Sequence, residues 1–202
     1  MVTRRVLFGA AGAAGLVPFA APARAATPWP AGAIATYPIA GARATVALHR
    51  DAAAVLLHIA RRWHYEIAPL DTGEGGVTGW RADAPVEAGF ESHYRSGTGI
   101  ALYPRSYPLG GREKLWPHQE LVVRDILLDV EGVATWGGDL TPAKAGHFHI
   151  AVPADDTTLA AVRARLDPLH QPESRRQTAG AVTDPATPAR RDRARKLPRR
   201  RR

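Results

Sequence analysis

The 202-residue chain contains no cysteine and a single methionine. No disulfide can staple it and no thiolate can hold a metal or act as a nucleophile. Any zinc site must therefore be built from His, Asp or Glu. Long apolar runs are scarce too. The stretch Val6 to Ala21 is free of charge but rich in Ala and Gly. Its length, about 16 residues, falls short of the roughly 20 strongly apolar residues of a spanning helix. No later segment is apolar enough to span, which predicts no transmembrane segment once the N-terminal stretch is removed. The third absence is a basic body. The formal net charge is +8, yet residues 26–170 hold 13 Lys/Arg against 16 Asp/Glu, while the chain from Gln171 onward holds 11 against 3. The body is mildly acidic, which argues against a nucleic-acid partner.

The N-terminus is the most informative local signal. Thr3-Arg4-Arg5-Val6-Leu7-Phe8 carries paired arginines followed by apolar residues, and Ala23-Arg24-Ala25 is a small-x-small cleavage site. Residues 1–25 read as a twin-arginine export signal, with the mature chain starting near Ala26 in the cell envelope or beyond. Residues 26–42, with their prolines, glycines and alanines, read as an extended linker. Residues 43–170 are long enough for one domain with a core of its own. Residues 171–202 have Pro, Thr, Ala and Arg with almost no large apolar residue, so a disordered basic tail is expected. Such a tail suits anionic wall polymers or lipid headgroups, or nothing specific.

Within the domain, Arg43 to His49 alternates as a strand does. Asp51 is placed to cap a helix in which Val55, Leu56, Ile59, Trp63 and Ile67 recur at helical spacing; Pro69 stops it. Asp71 to Gly79 is a Gly-rich loop that lacks the Lys and the helix start of a phosphate loop. Ile100 to Tyr103 reads as a strand, and Pro117 to Val130 as a second helix with Leu121, Val122, Ile126 and Leu127 inward. Val133 to Trp136 and Gly146 to Val152 read as strands, and Thr157 to Leu166 as a last helix. This pattern predicts an α+β domain, a small antiparallel sheet with flanking helices.

Three segments carry the chemical signal: Ser92-His93-Tyr94-Arg95-Ser96-Gly97-Thr98-Gly99-Ile100-Ala101, then Trp136-Gly137-Gly138-Asp139, then Gly146-His147-Phe148-His149. In order and spacing they resemble the zinc peptidases that cut peptidoglycan stem peptides, namely the D-alanyl-D-alanine carboxypeptidases and the L-alanyl-D-glutamate endolysins. The resemblance spans about residues 44–166 and implies the fold of that family. It also implies a zinc held by a His and an Asp of the first motif and a His of the last. Three protein ligands leave an open position for a water, whose proton is taken by an acid three residues before the last His.

Carried over residue by residue, this set is mostly lost. Anchored on Ser96-Gly97-Thr98, the first ligand position is Tyr94 and the Asp position is Ala101. His147 retains the last ligand, and Lys144 stands where the acid would be. Alanine cannot ligate, and an ammonium beside a dication has the wrong sign. The expectation is a catalytically silent, exported domain with no cofactor, which binds peptidoglycan stem peptides or a partner through the old cleft. The alternative is an active metallopeptidase with a rebuilt zinc site. His147 and His149 would share a strand face. His93 would be brought round by a bulge, and Asp139 would add a carboxylate. A chain with no selected function is a third reading. Candidate binding residues are Ser96, Trp136 and Arg81, the last a guanidinium suited to a carboxylate. His58 and His64 do not share a helix face and read as packed or solvated.

Overall fold

The computed structural model describes residues 29–30, 33–71, 76–166 and 187–197. The signal call at residues 1–25 lies outside these. Strands β1 (Ile34–Pro38) and β2 (Thr45–His49) pair as an antiparallel hairpin. Helix α1 (Arg50–Glu66) follows directly. Then come β3 (Val77–Thr78), a 3-10 turn at Gly89–Glu91, the short helix α2 (Ser92–Ser96) and β4 (Gly99–Leu102). Helix α3 (Pro117–Asp129) precedes β5 (Ala134–Trp136), a 3-10 turn at Gly137–Asp139 and β6 (His147–Ile150). Helices α4 (Thr157–Leu166) and α5 (Pro188–Lys196) complete the described chain. The second sheet runs β3-β4-β6-β5 with every pair antiparallel. The expected mixed α+β class with small antiparallel sheets is what the chain adopts. Among the described residues no helix is long and apolar enough to cross a membrane.

The central strands β4 and β6 are buried along their whole length. Alternation sends Ile100, Leu102, Phe148 and Ile150 to one face and Gly99, Ala101, His147 and His149 to the other. The first face meets α1, where Leu56, Ile59 and Trp63 are fully buried and the Trp63 ring stands edge-on to Phe148, with centroids 6.0 Å apart. Leu159 and Val162 of α4 belong to the same core. The second face carries the polar site described below.

Several expectations need correction. The segment expected as linker contributes β1 and the buried Ile39, because its alternating Ile34-Ala35-Thr36-Tyr37 pairs in register with β2. Asp51 is not the cap of α1. His49 caps it, accepting the Asp51 backbone N–H at Nδ1 (3.1 Å), with its Nε2 held by the Pro30 carbonyl at 2.9 Å. Asp51 lies inside the first turn and pairs with Arg163 of α4 at 2.6 Å. On α3 the buried stripe is Val123, Ile126, Leu127 and Val130, the i, i+3, i+4, i+7 set, and Leu121 is 37% exposed. Residues 92–96, for which the sequence pattern assigns no element, form α2. It ends at Gly97, whose φ of +70° is the left-handed cap geometry that glycine adopts without strain. Residues 188–196, expected in a disordered tail, form α5. The rest of the tail lies outside the described residues.

A charged network sits between α1, α3 and α5. Arg62, 4% exposed, donates to Glu66 (2.6 and 2.5 Å), Asp125 (2.8 Å) and Asp129 (2.9 Å). Asp125 is itself buried, and His58 reaches Asp129 at 3.3 Å. Burial opposes the Arg62 charge, but the hydrogen bonds it donates to Glu66 and Asp125 outweigh this and hold its pKa above the usual value. Burial likewise raises the Asp129 carboxyl, while the hydrogen bonds from His58 and Arg190 and the charge of Arg62 bring it well below the carboxylate range.

The register of α3 is directly testable. Ile126→Ala should cost about 2–5 kcal/mol by chemical denaturation, and Leu121→Ala about 0.5 kcal/mol or less. Comparable costs would mean the helix is rotated from the orientation described.

Candidate functional site

The second face of the β4–β6 pair is the only part of the sheet where the sequence alternates imidazoles with the smallest side chains. Ala101 lies directly across from His147, and Gly99 across from His149. Small residues on β4 leave a hollow beside each imidazole, and α2 fills it. Gly99 is required at this spot. A Cβ there would stand 2.9 Å from the His93 Cβ, so only a bare backbone lets α2 approach the strand this closely.

Tyr94 of α2 projects into the hollow beside Ala101, and its hydroxyl lies 2.7 Å from His147 Nδ1. His147 Nε2 lies 2.9 Å from His149 Nδ1. Burial, and secondarily Glu91, raises the Tyr94 pKa, so the phenol stays protonated. Nδ1 is its one hydrogen-bond partner among the described residues, which assigns the hydroxyl as the donor. The neutral His147 then carries its proton on Nε2 and donates to His149. The result is a directional chain, Tyr94 to His147 to His149, whose first two members are uncharged. His147 is fully buried and His149 is 8% exposed. Burial drives the His147 pKa well below the usual imidazole value, helped by His149, His93 and the positive Lys144.

Rings close over this chain. Phe90 packs on His147 with centroids 4.8 Å apart, and His93 stacks on His149 at 4.2 Å with planes 20° apart. His93 Nδ1 lies 2.6 Å from the Thr98 hydroxyl, which also meets Ser96 Oγ at 2.8 Å. Burial brings the His93 pKa down to about 4. Beside the Tyr94 ring, Lys144 Nζ sits 4.9 Å from its centroid and pairs with Glu91 at 2.8 Å. Burial pushes the Glu91 carboxyl up. The hydrogen bond from Lys144 and those from the Glu87 and Ala88 backbone overcome this and leave it below the usual value.

The structure therefore brings His93, Tyr94, Ala101, Lys144, His147 and His149 together. It does not bring Asp139 to them. That carboxylate forms a bidentate pair with Arg124, which also reaches Glu120 at 3.0 Å and lies over the Trp136 ring at 4.7 Å. His93 arrives through a helix rather than a bulge. Ser96 is turned inward on Thr98 and the His93 carbonyl, and Arg81 is exposed, 3.5 Å from Asp83. Trp136 is buried, donates to the Ala145 carbonyl at 2.6 Å, and lines an open groove of about 430 Å³ together with Glu113, Lys114, Glu120, Arg124 and Asp139.

These side chains do not make a three-ligand zinc site. Both His147 nitrogens are engaged, His93 Nδ1 faces a hydroxyl, and the nearest cation is an ammonium. Among the described residues no group of three or more His, Asp or Glu is placed to hold a metal ion. Sequence reasoning missed the pairing of Tyr94 with His147 and the Lys144–Glu91 pair. Their only signal was position, since the resemblance implies a ligand where Tyr94 stands and an acid where Lys144 stands.

Comparison with known proteins finds no matching family model, curated protein or solved structure.

Two outcomes follow from this geometry. Tyr94→Phe keeps the ring but strands His147 Nδ1 without a donor, so denaturation should show a loss of about 1–3 kcal/mol. An unchanged stability would mean the hydroxyl contact is not formed. The site also predicts acid lability. In the unfolded chain His93 titrates near 6.5, and in the folded chain only at about 4. Between those values the unfolded state binds the extra proton, so stability rises with pH there. The contribution of His93 is complete above about pH 6.5 and is lost as pH falls toward 4. The thermal midpoint should drop across that window, and less so in His93→Gln.

Proposed function

We propose that this chain is an exported, catalytically silent relative of the zinc D-alanyl-D-alanine carboxypeptidases, acting in the cell envelope by binding peptidoglycan stem peptides. The carrying observation is the contact of the Tyr94 hydroxyl with His147 Nδ1, opposite Ala101. The three positions to which the resemblance assigns zinc ligands are neighbours in space, as ligands must be, yet one is an alanine that offers no ligand and another a tyrosine whose phenol fills the hollow. Tyr94 is donor to the one imidazole retained. Lys144, at the position of the catalytic acid, is paired with Glu91 and has no proton-accepting role. Without a Lewis acid and a base, no water is activated here.

Binding is the function left to such a cleft. The groove beside Trp136 offers Lys114 and Arg124 alongside Glu113, Glu120 and Asp139. Both signs of charge in one groove suit a zwitterionic peptide with free carboxylates and an amine. An export signal at residues 1–25 would deliver the domain to where such peptides are found.

Metal analysis of the mature protein, alongside pelleting with purified sacculi, tests this reading. Expected are far less than one zinc per chain, retention on sacculi and no release of D-alanine. The double variant Tyr94→His, Ala101→Asp should then take up about one zinc per chain, since it restores a three-ligand set. About one zinc on the parent protein, with hydrolysis of stem peptides, would overturn the proposal in favour of an active metallopeptidase.

A further inference from the structure

Charge in this chain is segregated. Residues 26–170 are net −3 and residues 171–202 net +8. The structure shows where part of that basic segment goes. Helix α5 starts with Pro188 in its first turn, a residue suited to that position. Its half-buried positions are Arg190, Ala194 and Leu197, an i, i+4, i+7 stripe. Leu197 packs against the main core. The Arg190 guanidinium bonds Asp125 through Nε and Asp129 through Nη2, the latter at 2.8 Å. Arg62 holds the same two carboxylates from within the core, at 2.8 and 2.9 Å. Asp125 is thus a buried carboxylate gripped by two guanidiniums, one from the body and one from the tail. Two-point contacts of this kind fix orientation as well as position.

Docking of α5 uses one of its five cations. The other four, Arg191, Arg193, Arg195 and Lys196, are all exposed. Arg195 lies 3.4 Å from Asp192, and Arg191, Arg193 and Lys196 make no ion pair among the described residues. They are spaced along roughly 7.5 Å of helix axis, all open to solvent.

We propose that docked α5 is a platform for a flexible linear polymer of phosphodiesters. Each of the four cations is open to solvent, an arrangement suited to several phosphates along a chain and not to one enclosed group. Affinity must come from several phosphates engaging the array at once, with release of their counterions. The acidic body repels such a polymer elsewhere and leaves this face as its landing site. A bilayer surface fits less well. The exposed apolar residues of α5 are only Pro188 and Ala189, too small to anchor in the headgroup region, and Leu197 packs against the core. The surface is separate from the groove beside Trp136 and does not depend on the reading of that groove.

Titration of the full mature chain with poly(glycerol phosphate), and in parallel with vesicles rich in phosphatidylglycerol, tests the proposal. The polymer should bind with a strong salt dependence. Arg191→Gln, Arg193→Gln, Arg195→Gln and Lys196→Gln combined should weaken it about tenfold or more with an unchanged thermal midpoint. Arg190→Lys keeps the charge but loses the two-point grip. It should remove the hydrogen-exchange protection of residues 188–196 and weaken polymer binding about threefold or more. Three results would overturn the proposal. The quadruple variant could bind as tightly as the parent, which would place the affinity in other tail arginines. Arg190→Lys could lose protection without losing affinity, which would make docking irrelevant. Vesicles could bind as well as the polymer does, which would make the headgroup surface the partner.

Discussion

Two strands buried on both faces must find partners for every polar group they carry inward, and in β4 and β6 that requirement falls on two histidines. The hydrogen bond from Tyr94 to His147 meets it. It gives the innermost imidazole a donor, fixes its tautomer, and so orients the next bond to His149. Removing water from a buried imidazole disfavours the charged form. The same burial holds the phenol in its protonated state. Burial therefore sets the protonation state at both ends of the bond. The packing of α2 on the sheet, the choice of Gly99 and Ala101 on β4, and the placement of Phe90 and His93 over the rings all follow from accommodating this neutral chain.

The rest of the site has the opposite logic. Lys144 and Glu91 pair while only slightly exposed, and the ammonium helps hold the Glu91 carboxyl below its usual value. The same device recurs on a larger scale in the Arg62, Asp125, Asp129 and Arg190 network and in the Arg124–Asp139 pair. Buried charge is costly when one partner is removed. These networks therefore tie helices to particular neighbours: α1 to α3, α3 to the turn after β5, and the basic end of the chain to α3. The segregation of charge between body and tail has a structural outlet in the last of these.

Legibility in the sequence varied with the physical basis of each reading. Helix α1 was clear because Val55, Leu56, Ile59 and Trp63 form a long periodic stripe, and β6 because its His147-Phe148-His149-Ile150 alternation assigns faces unambiguously. Strand β1 was hidden by the neighbouring prolines and glycines. Helix α5 was hidden because its composition is that of a disordered segment. It is held by an ion pair and by Leu197, not by a buried apolar face, and single-sequence periodicity has no access to such a partner. Leu121 was read inward because its hydrophobicity was weighed without the full stripe that starts at Val123. In the site, the shared face of His147 and His149 was readable from period two alone. That His93 would join them was expected through a bulge, and Tyr94 stood at a ligand position by the resemblance. The helix α2 that delivers both was not readable, since it depends on room left by residues across the sheet. Asp139 stood near in sequence but found Arg124, a residue on another helix that nothing in its own motif announces.

Of the measurements available, the protonation pattern of His147 bears most directly on the account. Long-range proton–nitrogen NMR correlations on the folded protein at neutral pH report which ring nitrogen carries hydrogen. The account predicts a neutral ring with hydrogen on Nε2 and a bare, hydrogen-bond-accepting Nδ1. An imidazolium, a proton on Nδ1, or a nitrogen shift characteristic of metal coordination would contradict it.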